Sequence, residues 1–161
     1  MNGVTTQAPL STIDDSEWQR AELVATRDLS PTIRELTLRF EGRMERRSPC
    51  PAGSHLRIAI EVDGREDLRS YSVVAQEGDR LRIAVKRQPV SRGGSAFMWS
   101  LQPGATIRVA GPYRDFPLTL GAPEYLLIAG GVGITPMMTI AAVLAGRGDC
   151  IRLVYGARSA D

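Results

Sequence analysis

Cysteine and histidine are scarce in this 161-residue sequence, with two of the first and one of the second. Cys50 and Cys150 lie far apart and share no metal-ligand spacing. That excludes a thiolate-held iron-sulfur cluster within the chain and a disulfide framework, and no other metal site is indicated. Two free buried thiols are the expectation. Excess charge is lacking too. Lys and Arg number 20 against 18 Asp and Glu, a formal net charge of +2, too small for nonspecific nucleic-acid binding. Arginine far outnumbers lysine, so local anion sites remain open. No charged start leads into an apolar stretch, and no apolar run is long enough to span a bilayer. A cytoplasmic chain that neither enters a membrane nor binds nucleic acid is expected. Internal repeats and low-complexity segments are absent.

What is present is the composition of a folding globular chain, 43% hydrophobic with 16 glycines. Its length allows one good-sized core, or one core and a fragment of another. Residues 1–20 read as a flexible leader, polar and without apolar periodicity over 1–15. Residues 21–121 carry repeated short strand signals at 22–26, 33–40, 55–62, 70–74, 81–86 and 106–109. Ile33, Leu36, Leu38 and Phe40 nearly alternate with charged and polar neighbours, and Asp63-Gly64 is a tight-turn signal between two strands. Six antiparallel strands with such turns predict a mainly β fold, a closed Greek-key barrel without free edges. From 122 to 161 the pattern changes. A continuous apolar run at 125–129, as for a strand covered on both faces, meets a glycine-rich turn. A helix to about Gly146 follows, and then a second buried strand at 151–155. This is the first βαβ unit of an incomplete α/β nucleotide-binding domain.

Two segments in the β region carry chemistry. Arg69-Ser70-Tyr71-Ser72 opens a strand, so Arg69 and Tyr71 share one face and the serines the other. An Arg fork suits a phosphate, an aromatic ring suits a flat conjugated ligand, and a serine hydroxyl or amide suits a ring nitrogen. An exposed Arg-Tyr pair on a sheet is equally a common surface feature. Arg92-Gly93-Gly94-Ser95 precedes an apolar stretch that would begin a short helix capped by Ser95, and its glycines would let backbone amides approach a phosphate. Phe97, Met98 and Trp99 read as core packing, and His55 in its strand reads the same way. In the second region, Gly130-Gly131-Val132-Gly133-Ile134-Thr135-Pro136 follows a strand and opens a helix, the context of a dinucleotide loop.

In order along the chain stand RSYS, IAVKR, RGGSAFM, GPYRDFPL, LLIAGGVGITPMM and LVYGARS. With this ordered set the sequence resembles the ferredoxin-NADP reductase superfamily. Within it, the similarity is to the oxygenase reductases of the phthalate dioxygenase reductase and vanillate demethylase reductase group. The similarity covers about 21–159. It departs at Tyr113-Arg114-Asp115, where such reductases often carry an Arg-Asn pair. The resemblance implies that Arg69, with Ser70 beside it, holds a flavin phosphate, Tyr71 flanks the isoalloxazine, and Ser72 sits at its reactive nitrogen as the catalytic contact. It implies that Gly93, Gly94 and Ser95 complete the phosphate cradle, and that Val85 and Lys86 border the site. Gly131, Gly133, Thr135 and Pro136 would receive a nucleotide pyrophosphate, and Arg158 and Ser159 would read its ribose. The cofactors implied are FMN, with FAD as the alternative, and NADH or NADPH. Hydride would pass to the flavin and single electrons to an iron-sulfur ferredoxin domain or oxygenase component.

A parallel sheet of so few strands leaves apolar surface uncovered, so this end of the chain is expected to be truncated, swapped or covered by a partner chain completing the domain. Two other readings stay open from the residues. One is a non-catalytic flavin-binding or assembly module that pairs with another chain. The other is an oligonucleotide-binding barrel, against which sparse aromatics and near-neutral charge argue.

Overall fold

Alternation of apolar and polar residues along each strand puts one set of side chains inside a closed wall, and the computed structural model describes that wall through residues 13–40, 50–90 and 92–157. The strands are β1 (Trp18–Ser30), β2 (Ile33–Phe40), β3 (His55–Val62), β4 (Arg65–Glu77), β5 (Arg80–Lys86) and β6 (Thr106–Tyr113). They close in the order β1-β2-β5-β4-β3-β6, antiparallel throughout. Placing β2 beside β5 across the β3-β4-β5 meander is the Greek-key step. The six-stranded barrel expected from the sequence is the one found.

Leu23, Leu36, Leu38, Leu56, Ile58, Leu81, Ile83 and Val109 fill the interior with no measurable exposure. A short helix, α1 (Gly94–Ser100), lies between β5 and β6 and sends Met98 into the same core. Asp63 and Gly64 turn β3 into β4 with φ of 52° and 70°, the paired positive values of a tight hairpin turn.

β1, β4 and β6 run further than their apolar signals, because pairing on two edges holds polar residues in strand conformation. Residues 13–20, read as leader, are built into the wall. Trp18 and Arg20 pair with Ala110 and Arg108, and Ile13 is buried with Leu68 and Ala110 on the barrel's outer face. Residues 1–12 lie outside the described set.

The second unit comprises β7 (Tyr125–Gly130), α2 (Ile134–Arg147) and β8 (Ile151–Gly156), with β7 and β8 parallel. Tyr125, Leu127 and Ala129 pack on Met137, Ile140 and Leu144 of α2. The expectation of a strand covered on both faces is corrected here: Leu126 and Ile128 are 57% and 67% exposed, since α2 covers one face and no described residue covers the other. The buried-thiol expectation is corrected as well, Cys50 being half-buried and Cys150 exposed.

The two units meet at one tight place. The Gly53 amide donates to Thr139 Oγ1 on α2 at 2.9 Å. A Cβ on Gly53, whose φ is +77°, would come within 2.9 Å of the Phe116 carbonyl oxygen and 3.2 Å of Ile140.

Truncation of Ile83 to Ala removes a fully buried side chain and is expected to destabilise the fold by about 2–5 kcal/mol. Leu126→Ala, at an exposed site, is expected to stay within about 0.5 kcal/mol of wild type. Denaturant midpoints of the two variants check both values.

Candidate functional site

The period of two along β4 sets the site. Leu68, Ser70 and Ser72 face outward, with Leu68 in the outer cluster. Arg69, Tyr71 and Val73 take the inner side, with Val73 in the barrel core and Tyr71 packed against it. Toward the start of the strand this inner side meets the loop before α1 instead of another strand. Arg69 Nη2 donates to the Arg92 carbonyl at 3.1 Å, and Tyr71 Oη donates to the Gly94 carbonyl at 3.4 Å. A Cβ on Gly94 would stand 2.8 Å from Arg69 Nε and 3.0 Å from its Cγ. Only glycine therefore lets the loop backbone lie against the guanidinium stem. Arg69, Tyr71, Gly93 and Gly94 are thus brought together, with Arg92 exposed beside them.

Asp67 pins the guanidinium from the other side, its Oδ2 lying 2.6 Å from Arg69 Nη1. Burial pushes this carboxyl up, but the Leu68 amide, Arg69 and Arg92 outweigh it and hold it below the usual value. Sequence reasoning missed Asp67. The signal was its position two before Arg69, on the same strand face.

The β4–β5 ladder runs from Glu77↔Arg80 to Val73↔Ile83 and stops. Beyond it the two strands are not paired, Tyr71 and Ser72 preceding that point on β4 and Val85 and Lys86 following it on β5. The Val85 side chain is buried in the core, and its backbone is in register with Arg34 of β2. Lys86 is half-buried. Tyr71, largely enclosed, has its phenol pushed up to about 12 by burial, against the opposing pull of Arg69.

Ser95 does not cap α1. That position is Gly93 with φ 86°, and no side chain caps the helix. Ser95 lies inside the first turn, and its Oγ accepts the Gln88 amide at 3.2 Å. The serine cap expected from the sequence is displaced by two residues, because the left-handed turn has to fall on glycine.

Ser72, on the outer face, is the registered partner of His55 on β3. The His55 ring lies 5.7 Å from that of Tyr113, and its Nε2 is 3.7 Å from Asp115 Oδ2. Burial lowers the imidazole below its ordinary value; Asp115 opposes this and Arg57 adds to it. No pattern in the sequence marked His55 out, since its neighbours come from β4 and from the segment after β6.

In the second unit, Gly131–Gly133 form a 3-10 turn that runs directly into α2. Thr135 Oγ1 donates to the Val132 carbonyl at 2.8 Å, and Pro136 occupies the first turn of the helix, where a missing amide costs nothing. These residues open α2, which packs against β4. Arg158 and Ser159 lie outside the described residues. Among the described residues no cluster of His, Cys, Asp or Glu could hold a metal, and no helix is long and apolar enough to cross a membrane.

Comparison with known proteins agrees with this geometry. The family model for the oxidoreductase FAD-binding domain matches residues 20–117. The heme-dependent oxidative N-demethylase beta subunit of Ectopseudomonas mendocina (strain ymp) is 35% identical over 140 residues, which is 85% of this chain and 44% of that protein. The phthalate dioxygenase reductase of Burkholderia cepacia is 38% identical over 117 residues, 70% of this chain and 35% of its own. A solved structure of phthalate dioxygenase reductase, described as modular for electron transfer from pyridine nucleotides to [2Fe-2S], superposes with a TM-score of 0.78 at 33% identity. It covers 90% of this chain and 45% of that one. The chain thus spans less than half the length of these relatives.

The one histidine gives a single imidazole resonance to follow by NMR. Its titration midpoint is expected below 6.5, and Asp115→Asn is expected to lower it further by removing the opposing carboxylate. Because the folded pKa is depressed, the histidine's contribution to stability is present above about 6.5 and fades as pH falls through the folded value. A midpoint at or above 6.5 contradicts this arrangement.

Proposed function

The chain belongs to the oxidoreductase FAD-binding domain family, and from that premise we propose that it is the flavin-bearing part of an NAD(P)H-dependent reductase serving an oxygenase system. The observation that carries the reading is the close approach of the Arg69 side chain to the Gly94 backbone, in the space that a Cβ would take. An anion with several acceptor oxygens suits a guanidinium beside exposed amides. The end of β4–β5 pairing at Val73↔Ile83, with Tyr71 just beyond it, suits a flat ring. These residues fit a flavin nucleotide.

In this reading Arg69, Gly93, Gly94 and Ser95 hold the phosphate, with Asp67 orienting the guanidinium and Ser70 at the adjoining strand position. Tyr71, whose phenol stays protonated well above neutrality, flanks the ring and keeps its bond to the Gly94 carbonyl. Ser72 provides a hydroxyl and amide for the ring's reactive nitrogen, and the backbone of Val85 and Lys86 lines the far edge. Gly131, Gly133, Thr135 and Pro136 receive a nicotinamide nucleotide's pyrophosphate at the start of α2, and Arg158 and Ser159 read its ribose. When bound, the flavin accepts hydride from NADH or NADPH and releases electrons singly. FMN is proposed ahead of FAD, following the oxygenase reductases the sequence resembles. The acceptor proposed is an iron-sulfur domain or oxygenase component, phthalate dioxygenase reductase being described as passing electrons from pyridine nucleotides to [2Fe-2S]. The same reading puts the flavin domain at 21–121, the opening of the nucleotide domain at 122–161, and the protein in the cytoplasm.

The bare face at Leu126 and Ile128 favours a second reading, a flavin-binding module whose nucleotide unit is completed by another chain. Anaerobic mixing with NADH separates the two. Bleaching of the flavin absorbance supports the enzyme, and a stable yellow protein supports the module.

Arg69→Ala is expected to weaken FMN binding at least about tenfold, through loss of a charge-assisted contact, and Arg69→Lys by less. Fluorescence titration of the apoprotein measures both. Equal affinity for all three proteins removes the phosphate assignment.

A further inference from the structure

The turn at Pro51–Ser54, which leads into β3, is bonded in two directions. Its own bond runs from the Ser54 amide to the Pro51 carbonyl at 3.2 Å, and Gly53 takes the third position with φ +77°, a conformation that favours glycine. Toward the barrel, the fully buried Ser54 accepts the Val73 amide on its carbonyl at 2.9 Å. Val73 is the residue after Ser72 on β4. Away from the barrel, the Gly53 amide has no use within the turn and needs a partner elsewhere.

That partner is the hydroxyl of Thr139 on α2, at 2.9 Å. The same oxygen donates its proton to the Pro136 carbonyl at 3.2 Å, one turn nearer the start of the helix. A hydroxyl accepts and donates at once, and here it accepts from the barrel and donates to the helix. One line of bonds therefore runs from Pro136 through Thr139, Gly53 and Ser54 to Val73, beside Ser72.

Packing at the same place does not require this line. Ile140 lies against Gly53, is 1% exposed and belongs to the apolar cluster beneath β7. Apolar burial has no direction, so it holds α2 close and leaves the rotation of the helix about its axis unset. Hydrogen bonds weaken steeply with angle, and two on one oxygen fix which way position 139 points.

We propose that Thr139 is a positioning residue for hydride delivery: its hydroxyl, bonded to the barrel on one side and to the first turn of α2 on the other, sets how the nucleotide turn faces the strand that carries Ser72. The proposal rests on the reading above for its two ligands, the flavin and the nicotinamide nucleotide. Thr139 touches neither and acts through Pro136 and Gly53.

Thr139→Val keeps the branched shape and loses both bonds, whereas Thr139→Ser keeps them. In Thr139→Val the Gly53 amide is expected to exchange about tenfold faster than in wild type, with exchange restored in Thr139→Ser. On anaerobic mixing of the FMN-loaded protein with NADH or NADPH, the limiting rate of flavin bleaching is expected to fall about tenfold in Thr139→Val and to recover in Thr139→Ser. The FMN dissociation constant and the half-saturating nucleotide concentration are expected to stay at wild-type values. Thr139→Ala, which loses a methyl group as well, is expected to bleach at the rate of Thr139→Val with a lower thermal midpoint. A wild-type limiting rate in Thr139→Val overturns the proposal, as does wild-type exchange at Gly53. So does a rate that follows thermal midpoint across the three variants, which marks plain packing. If neither nucleotide bleaches the wild-type flavin, the enzyme reading fails by itself, and exchange at Gly53 alone then decides the tether: faster in Thr139→Val and restored in Thr139→Ser sustains it, and no change overturns it.

Discussion

Contact between the Arg69 side chain and the Gly94 backbone is the constraint from which the site follows. The space a Cβ would need at Gly94 is already taken by Arg69 Nε, Cγ and Cδ. Everything nearby is arranged to preserve that closeness. Gly93 absorbs the left-handed turn, and its own Cβ would strike Val62. Asp67 and the carbonyls of Leu68 and Arg92 divide the guanidinium's donors among fixed acceptors. Strand β4 supplies arginine, tyrosine and acid from one face, so a single backbone direction orients all three.

The barrel gives up part of its own regularity to make this possible. A closed sheet is stable because every edge is paired, yet here one seam is left unfinished beyond Val73↔Ile83. Met98 of α1 fills the core, and Trp99 Nε1 donates to the Val85 carbonyl. The helix is short, and both its ends are tied: the start through Tyr71 and Arg69, the finish through Arg34.

Much of this was legible in the sequence. The bounds of β2 and β3 follow from apolar alternation alone, and the Asp63-Gly64 turn from the demand for positive φ. The convergence of RSYS with RGGS follows from one hairpin returning beside another. What was not legible depended on tertiary neighbours. Polar residues of β1 and β6 are strand because both of their edges are paired, and Ile13 is buried because an outer apolar patch awaits it. The cap at Ser95 went wrong because a good capping residue and a residue tolerant of left-handed backbone stood two positions apart, and geometry chose the second. His55 gained Ser72 and Asp115 as neighbours through strand register and a turn that no local pattern encodes. The run at 125–129 has the hydrophobicity of a strand enclosed on both faces, and within the described residues it is enclosed on one.

Between the barrel and the α/β unit the chain has a joint made from a peptide plane. Gly53 touches Thr139, Ile140 and the Phe116 carbonyl with no room for a methyl group, so the spacing there is set by main-chain atoms whose dimensions substitution leaves unchanged. Surface residues on either body can drift without altering how far apart the bodies stand at this point. In chemistry where an ångström of misplacement can cost on the order of a hundredfold in rate, such a joint acts as a gauge block, passing a fixed distance unaltered through sequence change.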